Sequence, residues 1–154
     1  GEIEKQRMSL SETVESVCED MALINERGIT LHKDIAPDIF IDGNTELMSR
    51  LVINLISNAY RYGKDNGNIY VKLYSDDGKI KLSVKDDGIG FDYEKIKADV
   101  ESGKRDSTGI SSLVFRLEKK LNAKVEIISR IGCGTEVTVR VPMDKKISGG
   151  DEEK

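Results

Sequence analysis

Two runs of alternating apolar and polar residues, one carrying Ile69, Val71 and Leu73 and the other Ile80, Leu82 and Val84, stand on either side of Asp76-Asp77-Gly78. Alternation with a period of two marks strands with one buried face, and Asp-Gly between two such runs marks a hairpin. The second strand ends near Lys85, so Asp86-Asp87-Gly88-Ile89-Gly90 falls where a sheet strand gives way to a glycine-rich turn. An ionised carboxylate there, partly shielded from water, accepts hydrogen bonds from a donor such as an exocyclic amine. Gly88 and Gly90 would let the backbone approach a flat ligand closely. The same five residues are also ordinary turn chemistry, so their meaning depends on what surrounds them.

Upstream, Ser9-Leu10-Ser11-Glu12 has the form of a capping box, and Val14, Val17, Cys18, Met21 and Ala22 recur at helical spacing until Gly28. Ile29 to Ile35 reads as a strand that Pro37 breaks; Phe40-Ile41 resumes it briefly before the turn at Asp42-Gly43-Asn44. The single histidine, His32, lies in the first of these strands, and this context gives it no catalytic role. A helix predicted over Thr45 to Tyr62 carries an apolar stripe of Leu47, Leu51, Val52, Leu55, Ile56 and Ala59. Asn54 and Asn58 stack four apart beside it, with Arg61 and Tyr62 one turn on. Two carboxamides next to a buried stripe need partners. Either they cap loops or face solvent, or they offer neutral oxygens to a hard cation and its phosphates.

Beyond the hairpin, Tyr93 to Arg105 reads as one short helix and a mobile loop, and Thr108-Gly109 opens a helix running to about Leu121. A glycine-containing loop feeding a helix N-terminus suits an anion, and Lys104 and Arg105 stand just before it. Val125 to Ser129 and Val137 to Val141 make a last strand pair, joined through Gly132-Cys133-Gly134-Thr135 and ended by Pro142. The tail, with Gly149-Gly150 and then acids, has the composition of a disordered segment.

At 154 residues the chain fits one domain with a real core, and its net charge of -4 lacks the basic footprint of a nucleic-acid binder. No apolar run approaches the roughly 20 residues that span a bilayer, so no membrane contact is expected of this domain. Cys18 and Cys133 show no metal-ligand spacing and suit a reducing cytosol, and a single histidine excludes a histidine-rich metal site.

Taken together, these segments carry a resemblance. Asn54-Leu55-Ile56-Ser57-Asn58-Ala59-Tyr60-Arg61-Tyr62-Gly63 resembles the N box of sensor histidine kinases, and Asp86-Asp87-Gly88-Ile89-Gly90 resembles their G1 box. Ser107-Thr108-Gly109-Ile110 is similar to the start of the G2 box, and Gly132-Cys133-Gly134-Thr135-Glu136-Val137 to the closing Gly-x-Gly-Thr segment. The order and spacing of all four match, over nearly the whole chain from about Ser9 to Pro142. The resemblance implies the Bergerat ATP-binding fold, an α/β (α+β) two-layer sandwich with a mixed sheet and helices on one face. Residues 9–143 would form the ATP-binding catalytic domain, 1–8 the stub of a linker from a dimerisation helix, and 144–154 a disordered tail.

Carried over by position, the resemblance makes Asp86 the acceptor for the adenine amino group, with Gly88, Ile89 and Gly90 shaping its pocket. Asn58 becomes a ligand to magnesium bridging the phosphates, and Asn54, Arg61 and Tyr62 face phosphates and ribose. Lys104, Arg105, Thr108 and Gly109 form the lid and its hinge, and Thr135 lies near the adenine. The implied function is transfer of the ATP γ-phosphate to a histidine on a dimerisation domain absent from this chain. The implied partners are that domain and a response regulator, in a two-component system of cytoplasmic location, whether cytosolic or the cytosolic part of a membrane-linked sensor.

Three features shape the alternatives. Where the related ATPases and anti-sigma serine kinases resemble one another in a glutamate that serves as general base, this chain has Asn54, whose carboxamide has no useful proton affinity. That disfavours an ATPase or a serine kinase. The G2-like segment runs Gly109-Ile110-Ser111 where Gly-x-Gly is usual, and the intervening loop is short and lacks a phenylalanine-bearing F box. A degenerate signalling module that binds nucleotide weakly or not at all is therefore the second reading. With His32 in a strand, the chain alone is not expected to autophosphorylate.

Overall fold

The structure is a computed structural model that describes residues 5–24, 27–104 and 109–142. Its elements run β1 (Gln6–Ser9), α1 (Leu10–Leu23), β2 (Thr30–Ile35), β3 (Phe40–Gly43), α2 (Thr45–Tyr62), β4 (Asn68–Asp76), β5 (Lys79–Asp86), α3 (Tyr93–Glu101), α4 (Ile110–Leu121), β6 (Lys124–Arg130) and β7 (Gly134–Pro142). Five strands form a mixed sheet in the order β2-β4-β5-β7-β6, with β2 parallel to β4 and every other pair antiparallel.

The period-two pattern puts Ile69, Val71 and Leu73 of β4, Ile80, Leu82 and Val84 of β5, and Val137, Val139 and Val141 of β7 on one buried face. Helices cover that face, and one core cluster joins Val14 and Val17 of α1, Leu51, Leu55 and Ile56 of α2, and Leu113 and Leu117 of α4 to the strands. The opposite face carries Tyr70, Lys72, Tyr74 and Lys81, with the Lys72 and Lys81 ammonium groups 5.0 and 5.9 Å from the Tyr74 ring centroid. This is the α/β arrangement expected from the sequence.

The cap predicted at Ser9 forms, and Asn44, read from the sequence as part of a turn, also serves as a cap. Ser9 Oγ accepts the Glu12 N–H at 3.1 Å, and Asn44 Oδ1 accepts the Leu47 N–H at 2.9 Å to start α2. Gln6–Ser9, which runs from the 1–8 segment read as a linker stub into the first residue of the domain, is extended and pairs antiparallel with β3, Met8 opposite Ile41. The pairing buries Met8, and a three-residue polar-apolar alternation is too short for the sequence to display it. Among the described residues no helix is long and apolar enough to cross a membrane.

Candidate functional site

The side chain of Asp86 belongs to the core-facing register of β5: it follows Ile80, Leu82 and Val84 on the same face, and it is 2% exposed. It stands between Ile69 of β4 and Thr135 of β7, and its Oδ1 accepts the Gly88 N–H at 2.9 Å. Burial pushes this carboxyl above its usual range, against the pull of the Gly88 and Thr135 backbone N–H groups, and the neighbouring charge of Asp87 pushes the same way. A carboxylate at the end of an apolar row contributes hydrogen bonding rather than apolar packing.

Thr135, also buried, is fixed by a hydroxyl pair with Ser129 at 2.7 Å, and Ser129 Oγ in turn accepts the Phe91 N–H at 2.8 Å. Phe91 leads a short aromatic row, its ring 5.8 Å from Tyr62 and 6.4 Å from Tyr93. Gly88 and Gly90 lie close against protein backbone. A Cβ on Gly88 would lie 2.1 Å from the Tyr62 carbonyl oxygen, and one on Gly90, at φ +68°, 1.9 Å from the Arg130 carbonyl oxygen. Their bareness lets the turn close against protein backbone, tying the end of α2 and the β6–β7 turn to Asp86. Ile89 between them is exposed.

The C-terminal half of α2 supplies the second side of the site. Asn54 and Asn58 are half-buried, and neither carboxamide is hydrogen-bonded to a described residue. Arg61 is exposed, with its guanidinium 5.1 Å from the Tyr62 ring centroid. Among the described residues no group of three or more His, Cys, Asp or Glu could cage a cation. The carboxamide oxygen of Asn58 is a neutral oxygen donor of the kind that would suit a hard cation such as magnesium, which takes most of its ligands from water and phosphate.

Of the residues expected to form a lid, Lys104 lies against α3, its Nζ 3.8 Å from Asp99, and Gly109 is the left-handed N-cap of α4 at φ 74° with no side-chain cap bond. Arg105 and Thr108 lie outside the described residues, as does the tail from Lys145.

Two supports had no sequence signal. Arg27 donates to the carbonyls of Tyr60 and Gly63, both at 2.6 Å, and to Asp65 at 2.7 Å, capping the C-terminus of α2. Asn68, at the start of β4, holds Asp87 by two hydrogen bonds of 2.9 and 3.0 Å.

A mixed five-stranded sheet with a buried strand-end carboxylate facing an asparagine-bearing helix defines a class of nucleotide-binding domains. Residues 43–145 match the family described as histidine kinase-, DNA gyrase B- and HSP90-like ATPase. The chain belongs to that family, as a catalytic domain of the sensor histidine kinase type. It is 28% identical over 161 residues to histidine protein kinase DivJ of Caulobacter vibrioides, covering 93% of this chain and 27% of that protein. Over 60 residues it is 42% identical to sensor protein BasS of Escherichia coli, covering 39% of this chain and 16% of that one. It thus spans only a minor part of these relatives. Among solved structures, the catalytic domain of histidine kinase ThkA superimposes with a TM-score of 0.74 at 20% identity, over 92% of this chain and 98% of that one.

Proposed function

We propose that this chain binds ATP with magnesium and presents the γ-phosphate to a histidine on a dimerisation domain, within a longer sensor kinase that hands the phosphoryl group to a response regulator. The observation that carries this reading is the buried Asp86 carboxylate, hydrogen-bonded to its own turn and backed by Thr135, beside a helix whose two half-buried carboxamides make no hydrogen bond to a described residue. Asp86 accepts the adenine amino group. Asn58 is the magnesium ligand, and Asn54, Arg61 and Tyr62 face the phosphates and ribose. Gly88, Ile89, Gly90 and Thr135 border the base, and Lys104, Arg105, Thr108 and Gly109 belong to the lid. Magnesium, when bound, neutralises phosphate charge.

The mechanism asks little covalent chemistry of the protein. Asn54 cannot take a proton, and an imidazole acceptor already carries its lone pair, so the domain contributes positioning and charge stabilisation. His32 is no acceptor for this chain's own phosphate: its Nε2 lies 2.9 Å from Asn68 Oδ1 and its ring stacks on Tyr70. Residues 9–143 form the catalytic unit on this reading, and it works in the cytosol.

Calorimetric titration with ADP and a non-hydrolysable ATP analogue, with and without magnesium, tests it. Submillimolar binding is expected, with the magnesium dependence of analogue binding lost in Asn58→Ala. No binding by folded protein would favour the degenerate module, for which Ser111 at the start of α4 is the specific argument.

A further inference from the structure

The second aspartate of the turn is held more firmly than a turn requires. Asp87 Oδ1 accepts the Asn68 backbone N–H at 2.9 Å, Oδ2 accepts Asn68 Nδ2 at 3.0 Å, and the Asp87 N–H donates to the Asn68 carbonyl at 3.3 Å. Gly67 makes room for this: a Cβ there would stand 2.6 Å from Oδ1. With Nδ2 committed to a carboxylate, the Asn68 amide turns its Oδ1 to its other neighbour, His32 Nε2 at 2.9 Å. An amide oxygen can only accept, so Nε2 carries a proton. The imidazole is oriented in turn by stacking on Tyr70, at 4.7 Å and 13° between planes, as the parallel register of β2 on β4 sets His32 beside Tyr70. One carboxylate, one amide and one imidazole thus run from the end of β5, through the start of β4, to the edge strand β2.

We infer that Asp87, Asn68 and His32 form a positioning relay that fixes the turn carrying Asp86 and couples occupancy of the Asp86 site to the sheet edge at His32. The inference rests on the nucleotide reading above. Asp86 is paired on both sides within the sheet, but Asp87 is the first residue beyond β5 and is anchored through Asn68. Release of that anchor frees the peptide leading to Gly88, and with it the Gly88 N–H that Asp86 Oδ1 accepts. It also leaves the Asp87 charge unshared beside the carboxylate that must accept the ligand's proton donor. A ligand that tightens the turn must, by linkage, tighten the hold on His32.

The experiment combines ADP calorimetry with proton-nitrogen NMR of the single imidazole in the whole chain. Saturating ADP should shift the His32 ring signals of the wild-type protein and leave them unmoved in Asn68→Ala. Asn68→Ala should weaken ADP binding about five- to tenfold. His32→Ala should weaken it by less, and His32→Gln, whose amide N–H can donate to Asn68 Oδ1, should restore it. Wild-type binding with unmoved His32 signals, or an unchanged affinity in folded Asn68→Ala, overturns the relay and leaves the nucleotide reading intact. Failure of the wild-type chain to bind ADP overturns both.

Discussion

Adjacent aspartates in this chain obey opposite electrostatics. Asp86 is buried and its carboxyl is pushed above the ordinary range, so the folded state holds a proton there more tightly than the unfolded chain does. Its ionisation costs stability: the penalty is absent below the ordinary carboxylate pKa, grows as pH rises through the raised folded value, and is complete above it. Burial also pushes Asp87 up, but the hydrogen bonds from Asn68 and the charge of Lys64 outweigh it and hold its carboxyl below the usual range. That contribution to stability is present above the ordinary pKa and is lost as pH falls through the lowered value. Asp86→Asn should therefore melt higher than wild type at neutral pH, by about 2–4 °C for each kcal/mol of penalty removed, with the gain fading toward pH ~4. The same variant should lose ADP binding, because an amide whose oxygen stays with the Gly88 N–H turns its NH2 donors toward the adenine amine. Thermal melts at the two pH values check the first expectation and calorimetry the second; a variant that still binds normally would remove Asp86 from the pocket.

The glycines separate two costs that are usually confounded. Gly90 and Gly132 both have positive φ, at +68° and +85°, but a Cβ meets the Arg130 carbonyl oxygen at 1.9 Å in the first case and nothing within 4 Å in the second. Gly132→Ala should cost about 1 kcal/mol of backbone strain. Gly90→Ala should cost clearly more, since the turn must part from the β6–β7 backbone. Urea denaturation of the pair measures the difference, and equal losses would mean that the close approach carries no energy.

At the scale of elements, α2 was the most legible part of the chain, and the reason is local. Its apolar stripe, the Asn44 cap and the Gly63 stop are all encoded within the helix, so the predicted span Thr45 to Tyr62 is the observed one. The hairpin was equally open to reading, since alternation and the Asp77-Gly78 turn lie side by side in sequence. The close approaches of Gly88 to Tyr62 and of Gly90 to Arg130 were not, and neither was Arg27. Each joins segments far apart in the chain, and a lone arginine before a glycine shows nothing of the helix end it will cap. The double hold of Asn68 on Asp87 was hidden in the same way.

The Arg27 clamp can be tested at the element it serves. Its guanidinium sits at the negative end of α2 and donates to two of the last carbonyls, while its ion pair with the exposed Asp65 adds little. Arg27→Ala should cost about 1 kcal/mol overall. Its clearer signature is faster amide exchange confined to the last turn of α2, where Asn58, Arg61 and Tyr62 lie. Arg27→Lys, lacking the planar fork, should recover only part of the protection. Uniformly faster exchange across the sheet would instead make Arg27 a general stabiliser with no particular hold on the site.

For the whole molecule the question is whether the layer of helices and the strand-end site open together. Cys18 and Cys133 report on this from opposite ends. Cys18 lies on α1 within the core cluster, 1% exposed, and burial drives its thiol pKa up to about 11, so it is both hidden and protonated. Cys133 is exposed in the turn between β6 and β7, next to Gly134, where a Cβ would lie 2.1 Å from the Asp86 carbonyl oxygen. A thiol reagent should modify Cys133 quickly and Cys18 only through opening of the core. Because α1 and α2 share one continuous core with β4, β5 and β7, that opening should be global rather than a local lifting of α1. A nucleotide that binds only the folded chain then slows Cys18 labelling by the factor one plus its free concentration over Kd, about a hundredfold at a hundred times Kd. The measurement follows labelling of each cysteine by mass spectrometry across an ADP titration, at reagent levels where reclosing outruns modification. Cys18 labelling that stays indifferent to ADP in protein shown by calorimetry to be saturated would mean that α1 detaches alone, and that the site survives the loss of the helix beside it.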